Sequence, residues 1–263
     1  MLVRGVELNV DRRGSEASDA FLWGHGLMGS MAQEVAAGML PWEGLEAAYR
    51  VVRWDARGHG RSDSTPEPED YRWEELAADL WALADGLGVE RAVIGGVSMG
   101  AATALHAAVA APARVRGLVL MAPPTAWSSR ARQARFYRGF AQLIGVVGLG
   151  PISWFGDLAA RAVSNDGLAA LQRSVTQNLR RADVHSVQLV LRGAALSDLP
   201  EAARIAAIAA PTLILAWNQD PSHPLSTAKT LAQRMPNATL HVAESLDDIR
   251  SWSARVRAFL ASL

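Results

Sequence analysis

The sequence predicts an α/β fold: a mostly parallel sheet, helices on both of its faces and one helical insertion. Three observations carry this. Short apolar runs without polar alternation recur along the chain, each feeding a glycine- or proline-marked turn, as strands buried on both faces do. Amphipathic helical patterns separate those runs, the arrangement that parallel pairing through crossovers requires. The strand rhythm stops after Pro124 and resumes at Pro211, so a helical block interrupts a single sheet.

Val3 to Val10 alternates and runs into the polar stretch Asp11 to Ser15, as an edge strand would. Ala20–Trp23 and Tyr49–Trp54 follow as core strands. Trp73 to Leu87 places Leu76, Leu80, Leu83, Ala84 and Leu87 on one helical face. Ala92–Gly96 is the next strand, Ala101–Ala110 an alanine-rich helix, and Val115–Met121 a strand that ends at Ala122-Pro123-Pro124. From Thr125 to Asp198 the pattern is helical and rich in arginine and aromatic residues. Thr212–Trp217 and Ala238–Ala243 restore the sheet, and an amphipathic helix from Trp252 to Leu263 closes the chain. The expected division is 1–124 and 200–263 for the α/β core, with 125–199 as a helical cap inserted in it.

A chain of 263 residues can bury a large core as one domain with room for such an insertion. Basic and acidic residues balance at 26 each, so no nucleic-acid partner is implied. The absence of cysteine excludes disulfides, thiolate catalysis and thiolate metal sites. The N-terminus lacks the pattern of a signal peptide, and no apolar segment is long enough to span a bilayer. The expectation is a cytoplasmic protein with a small-molecule substrate and no membrane partner; oligomeric state is not legible.

The most informative motif is Gly96-Val97-Ser98-Met99-Gly100, set between the strand run Arg91–Gly95 and the helix that follows. A Gly-x-Ser-x-Gly pentapeptide in that setting reads as a nucleophile elbow. So tight a turn needs small residues at both flanks. It holds the serine in a strained backbone conformation, with its hydroxyl exposed at the end of the sheet. The next helix aims its first amides at charge developing on a bound carbonyl. Further motifs fall at strand ends, where open α/β sheets bind ligands. Trp23-Gly24-His25-Gly26-Leu27-Met28-Gly29 has the glycines to bend toward the serine, so that the Leu27 amide joins the Met99 amide as an oxyanion hole. Each such donor is typically worth about 2.7–4 kcal/mol in the transition state. In Asp55-Ala56-Arg57-Gly58-His59-Gly60-Arg61-Ser62 the glycines make a turn, while Asp55, Arg57 and His59 satisfy one another and the backbone.

His25-Gly26, Asp55 to Ser62, Gly96 to Gly100 and the segment Pro211 to Asp220 together resemble the α/β-hydrolase superfamily. Within it they are most similar to small esterases, enol-lactonases and cofactor-free haloperoxidase-like serine hydrolases. The likeness covers nearly the whole chain and is thin in the insertion. It implies an eight-stranded, mostly parallel sheet, a helical cap over the active site and a serine–acid–histidine triad. The serine maps onto Ser98 and the acid onto Asp220, just past the strand Thr212–Trp217. The histidine of the pattern belongs to the loop after the last strand. Here that loop reads Ala243-Glu244-Ser245-Leu246-Asp247-Asp248-Ile249-Arg250 and contains none.

The base is therefore sought among six histidines. His25 and His59 lie in structural glycine turns. His106 sits two turns along a buried helix and points away from the mouth. His185 is in the insertion and His241 inside the last strand. His223 is left, in Asp220-Pro221-Ser222-His223-Pro224, with Pro221 and Pro224 restricting the backbone around it. The competing role for His223-Pro224 is to start the helix containing Thr227 to Met235. The carboxylate that orients a catalytic His223 is open between Asp220 and Glu244, Asp247 or Asp248, since triads are defined by geometry and not by chain order.

The cap offers Trp127, Phe136, Tyr137, Phe140, Trp154 and Phe155, either as its own packing or as an apolar pocket. Of these Trp127, Phe136 and Tyr137, together with His25, are the candidate substrate contacts. Arg130, Arg132, Arg135 and Arg138 read as a solvated helix face. No metal-ligand spacing is present, and the glycines near Ser98 do not form a phosphate cradle, so neither metal nor cofactor is expected. The expected activity is that of a cofactor-independent serine hydrolase cleaving a hydrophobic ester or lactone through an acyl-enzyme on Ser98. The alternatives are a carbon–carbon bond hydrolase built from the same parts, or a cyclase, lyase or ligand-binding protein that has lost hydrolysis with the usual histidine.

Overall fold

A computed structural model describes residues 1–38, 44–162, 166–218, 220 and 223–263, without the side chains of 159–162 and 166–172. The N-terminal stretch expected as one strand is broken. Arg4 and Gly5 both take left-handed backbone, with φ of 46° and 82°. β1 (Leu2–Val3) therefore folds back on β2 (Val6–Glu7) as a short hairpin. Only β3 (Val10–Arg13) reaches the main sheet, which among the described residues has seven strands where the resemblance implies eight.

The other strands of that sheet are β4 (Ala20–Gly24), β5 (Arg50–Trp54), β6 (Ala92–Val97), β7 (Val115–Met121), β8 (Thr212–Trp217) and β9 (Ala238–Ala243). Their order is β3-β5-β4-β6-β7-β8-β9, and every pairing is parallel except that of β3 on β5. β4 and β5 are buried along their whole length, which is why their sequences do not alternate. Edge strand β9 is half-buried.

Successive residues still face opposite layers. Leu22, Val52, Ile94, Leu118, Leu120 and Ile214 pack with α2 (Trp73–Gly86) and α3 (Met99–Ala110). Phe21, Trp23, Val51, Val93, Val119 and Leu215 pack on the other side with Trp252, Val256 and Leu260 of the C-terminal helix. Each fully buried side chain of this size contributes roughly 1.5–3 kcal/mol relative to exposure.

The remaining helices are α1 (Met31–Ala37), then α4 (Arg130–Val147), α5 (Leu149–Ala162), α6 (Asp166–Arg181) and α7 (Val184–Leu196), then α8 (Ala202–Ala206), α9 (Leu225–Arg234), α10 (Leu246–Arg250) and the C-terminal α11 (Trp252–Leu260). In the insertion α4 packs on α7, α5 on α6, and α6 reaches down to α1. Among the described residues no single helix is long and apolar enough to cross a membrane. The chain passes from β4 to β5 in one direction and then to β6 on the other side of β4. The crevice at the C-terminal ends of β4 and β6 is therefore the switch point where such sheets bind ligands.

Candidate active site

Both motifs that converge on that crevice are held by backbone contact. Ser98 follows β6 with φ 54° and ψ −107°, a conformation that costs a side-chain-bearing residue about 1–3 kcal/mol. Its N–H donates to the Met121 carbonyl at 2.9 Å, and its carbonyl accepts from Ala102 at 3.0 Å. A Cβ at Gly96 or Gly100 would collide with the Gly24 carbonyl oxygen. The two glycines of the pentapeptide are thus required by the end of β4, which passes where their side chains would be.

The loop after β8 supplies two more groups. His223 Nε2 lies 2.8 Å from Ser98 Oγ, and His223 Nδ1 lies 2.6 Å from Asp220 Oδ2. The His223 backbone N–H also donates to Asp220 Oδ1 at 3.2 Å. With the Nδ1 proton directed at the carboxylate, Nε2 is the acceptor for the serine hydroxyl. The two side chains are each 22% exposed, open enough for a substrate to reach. Pro224, with φ −59°, starts α9 directly after His223; Pro221 lies outside the described residues.

Of the four carboxylates considered for His223, Asp220 is the one in contact. Asp248 Oδ2 accepts from the N–H groups of Glu244 and Ser245 at 3.0 and 3.2 Å. Those backbone bonds, the Glu244 one foremost, hold its carboxyl below the ordinary range. Asp247 pairs with Arg250 at 2.7 Å.

The turn after β4 presses on the serine from the other side: a Cβ built on Gly26 would stand 3.7 Å from Ser98 Cβ. The Gly26 carbonyl accepts from Gly29 N–H at 2.9 Å and from His25 Nδ1 at 2.8 Å. His25 Nε2 accepts from the Ala56 N–H at 2.9 Å. Burial lowers the His25 pKa, which keeps the ring neutral in this role. Both of its nitrogens are engaged by backbone, so His25 is a support for the turn and not the substrate contact expected. The Leu27 N–H meets no backbone acceptor among the described residues. Met99 opens α3, where helix N–H groups have no partner within the helix. Met28 takes φ 56°, and Asn178 of α6 donates from Nδ2 to its carbonyl at 2.7 Å.

The Asp55 to Ser62 turn is structural: Asp55 and His59 bond the local backbone, as expected, but the Asp55 and Arg57 side chains reach neighbouring elements in place of one another. Asp55 accepts from the Met31 and Arg61 N–H groups at 2.7 and 3.0 Å, and from Asn9 Nδ2 at 2.7 Å. Arg57 grips Asp79 of α2 with bonds of 2.9 and 3.1 Å. His59 Nδ1 lies 2.9 Å from the Arg57 carbonyl, and burial pushes this imidazole down to about 3. Nearby, Glu34 on α1 accepts from Trp23 Nε1 at 3.2 Å, and burial pushes its carboxyl up to about 8. Neither Glu34 nor Asn178 is singled out by sequence. Ser174 and Asn178 do share a helix face four residues apart, a polar signal legible only with the partner turn known.

The cap aromatics are placed differently from one another. Trp127 sits at the neck of the insertion, its Nε1 donating to the Pro200 carbonyl at 3.2 Å and its N–H to Asp198 at 2.9 Å. Both bonds belong to the neck, so Trp127 does not serve as a free substrate contact. Phe136 is 58% exposed and stacked on Phe140 with ring centroids 5.7 Å apart. Tyr137 packs in the cap cluster that also takes Leu27 and Met28. Arg130, expected on the solvated face, is buried: its guanidinium lies 4.2 Å above the Trp73 ring and donates to the Ser197 and Ala194 carbonyls. It sits at the first turn of α4, where the helix still faces the core.

A sequence model described as the alpha/beta hydrolase fold matches residues 20–247. The chain is 29% identical over 241 residues to 3-oxoadipate enol-lactonase 1 of Acinetobacter baylyi, covering 88% of this chain and 83% of that one. It is 30% identical over 249 residues to RutD of Variovorax paradoxus, whose name gives carbamate hydrolysis as a provisional activity, with 90% and 87% covered. In structure it resembles an enol-lactonase from Burkholderia xenovorans, with a TM-score of 0.79 at 20% identity over 99% of each chain. A hydrolase from Pseudomonas aeruginosa aligns with a TM-score of 0.82 at 22% identity, covering 99% of this chain and 97% of that one. The chain belongs to the α/β-hydrolase-fold family of hydrolytic enzymes.

Proposed function

We propose that this enzyme is a serine hydrolase that cleaves a hydrophobic ester or lactone through an acyl-enzyme on Ser98. The observation that carries the reading is the continuous hydrogen-bonded chain Ser98–His223–Asp220, with separations of 2.8 and 2.6 Å, at the switch point of the sheet. In this mechanism Ser98 Oγ attacks the substrate carbonyl as His223 Nε2 takes its proton. Asp220 holds the imidazolium that forms. The Leu27 and Met99 amides stabilise the oxyanion, in a surrounding where Leu27 also packs against Tyr71, Leu189 and Val190. His223 returns the proton to the leaving alkoxide, and the acyl-enzyme is then hydrolysed by water with the same base.

Names of relatives favour a lactone among the ester-like substrates, since the Acinetobacter baylyi protein is an enol-lactonase. The cyclase, lyase or binding-protein alternative rested on the missing histidine of the last loop, and the Ser98–His223 contact weighs against it. A fluorophosphonate probe tests the reading: Ser98 should label stoichiometrically, Ser98→Ala should not label, and His223→Ala should label far more slowly. Labelling independent of Ser98 would defeat it. Turnover of a vinylogous 1,5-diketone without turnover of p-nitrophenyl esters would favour the carbon–carbon hydrolase instead.

A further inference from the structure

The insertion touches the oxyanion turn through Asn178. Its Nδ2 donates to the Met28 carbonyl at 2.7 Å, and its Oδ1 accepts from Ser30 Oγ at 2.8 Å. One turn earlier on the same face of α6, Ser174 Oγ accepts from Gln33 Nε2 of α1 at 3.0 Å. The donor and the acceptor end of the Asn178 amide are thereby both satisfied by one short stretch of chain.

That stretch needs holding. Met28 has φ 56°, a conformation that an L side chain keeps only where its surroundings over-determine it. On the core side the turn is fixed at the Gly26 carbonyl by His25 and Gly29. On the other side it is fixed at the Met28 carbonyl by Asn178. Leu27 lies between these two anchors, and its side chain packs with Met28 against Ile144, Leu149 and Leu179 of the cap.

We propose that Asn178 is a positioning residue: from the cap it clamps the Met28 carbonyl and so keeps the Leu27 amide aligned with Ser98. Docking of the cap and completion of the oxyanion hole are then one event, so a substrate that lifts α6 to enter also disarms the site until α6 returns. The inference rests on the oxyanion role given to Leu27 above.

Asn178→Leu keeps the branched side-chain skeleton and removes both hydrogen bonds. Asn178→Asp keeps an acceptor for Ser30 but turns an oxygen toward the Met28 carbonyl. On a p-nitrophenyl ester, both should lower kcat by about ten- to a hundredfold while KM changes far less, the pattern of a misplaced catalytic group. A trifluoromethyl ketone, whose adduct carries the oxyanion, should lose affinity in parallel with kcat/KM. Met28→Gly in the Asn178→Leu background should restore most of kcat, because glycine holds that φ without a clamp. Ser174→Ala, which loosens the cap on α1 but does not touch Met28, should leave kcat near wild type. Wild-type kcat in Asn178→Leu overturns the proposal. So does a loss that Met28→Gly fails to restore and Ser174→Ala shares, which would make Asn178 a packing residue of the cap. If Asn178→Leu does not fold, Asn178→Asp carries the same comparisons. Failure of wild-type Ser98 to label with fluorophosphonate would instead strike the hydrolase reading, and the two failures are thereby told apart.

Discussion

β8 and β9 lie side by side and run parallel, and each ends in a short polar loop, yet the loops use their acids in opposite ways. After β8, Asp220 turns an oxygen to His223, which turns its other nitrogen to Ser98. After β9, the acids are consumed where they stand. Asp248 closes the N-terminus of α10, and Asp247 pairs with Arg250 one turn on. Asp220 also accepts from a nearby backbone N–H, but it keeps its second oxygen on an imidazole, whereas Asp248 gives one oxygen to two backbone N–H groups of its own loop. What separates a structural acid from a candidate catalytic one is therefore the direction of its free acceptors and not its residue type or its place after a strand.

The strongest way to break this comparison is to remove the groups of the first loop. Ser98→Ala and His223→Ala should each lower kcat/KM by about 10⁴–10⁶, and the double variant should be no worse than either, as members of one unit behave. Asp220→Asn should cost about 10⁴, by leaving the imidazole in the wrong tautomer. A small loss there with a large one in Asp247→Asn would reverse the roles of the two loops.

Moving the base sharpens the contrast. Leu246→His in the His223→Ala background places an imidazole in the loop where the family pattern has one. It should leave esterase activity at the level of the single variant, since Leu246 opens α10 under the Ser245 and Asp248 caps. Recovery of activity would show that the second loop is still shaped for catalysis.

The same distinction divides the histidines: His223 bonds across to Ser98, while His59 bonds its own turn and bears on stability. His59 is held down to about 3 by burial, so below its ordinary 6.5 the unfolded chain takes a proton that the native one refuses. Stability should fall as pH drops from 6.5 toward 3. Glu34 is raised from 4.5 to about 8, so the native state keeps a proton that the unfolded chain has released. Stability should fall as pH rises from 4.5 to 8, and the two limbs oppose each other in the overlap. Each limb is on the order of a few kcal/mol by linkage. Denaturant melts across pH should show Glu34→Gln flattening the alkaline limb and His59→Gln the acid one. An unchanged profile in Glu34→Gln would mean that its carboxyl is ionised in the fold.

The smallest expected effect belongs to the second loop. Ser245→Ala removes the N-cap of α10 and should cost about 1 kcal/mol of stability with kcat/KM unchanged. A drop in kcat/KM without a drop in melting temperature would bring that loop into the chemistry.

How much of this is legible in the sequence depends on who decides a residue's environment. β7 and β8 have the bounds their apolar runs predict, because interior strands are unbroken hydrophobic stretches, and the half-buried edge strand β9 keeps its predicted bounds as well. The elbow is equally legible, since its glycines answer to a local backbone approach. The first strand misleads because its break needs left-handed backbone at both Arg4 and Gly5, and of the two only the glycine is a local signal. Elimination points to His223 from the emptiness of one loop, but the choice among four carboxylates needs three-dimensional proximity. Arg130 and Asn178 were beyond reach for one reason: a helix pattern shows which residues share a face, whereas the partner of that face lies far away in sequence, in Trp73 for one and Met28 for the other.

Arg130 also ties off the insertion. From the first turn of α4 it binds the Ser197 and Ala194 carbonyls at the far end of α7, and Asp198 accepts from Trp127 beside it. The chain leaves the core and re-enters it through one stapled gate, so the length of what hangs beyond it bears little on the strands below, and longer excursions cost only slowly growing closure entropy. Such a gate makes the helical block exchangeable: another block spliced between Arg130 and Ala194 would find its ends already paired. The limit on exchange is polar and specific. A newcomer that brings no donor to the Met28 carbonyl would inherit a folded core with a loosened turn beside Ser98.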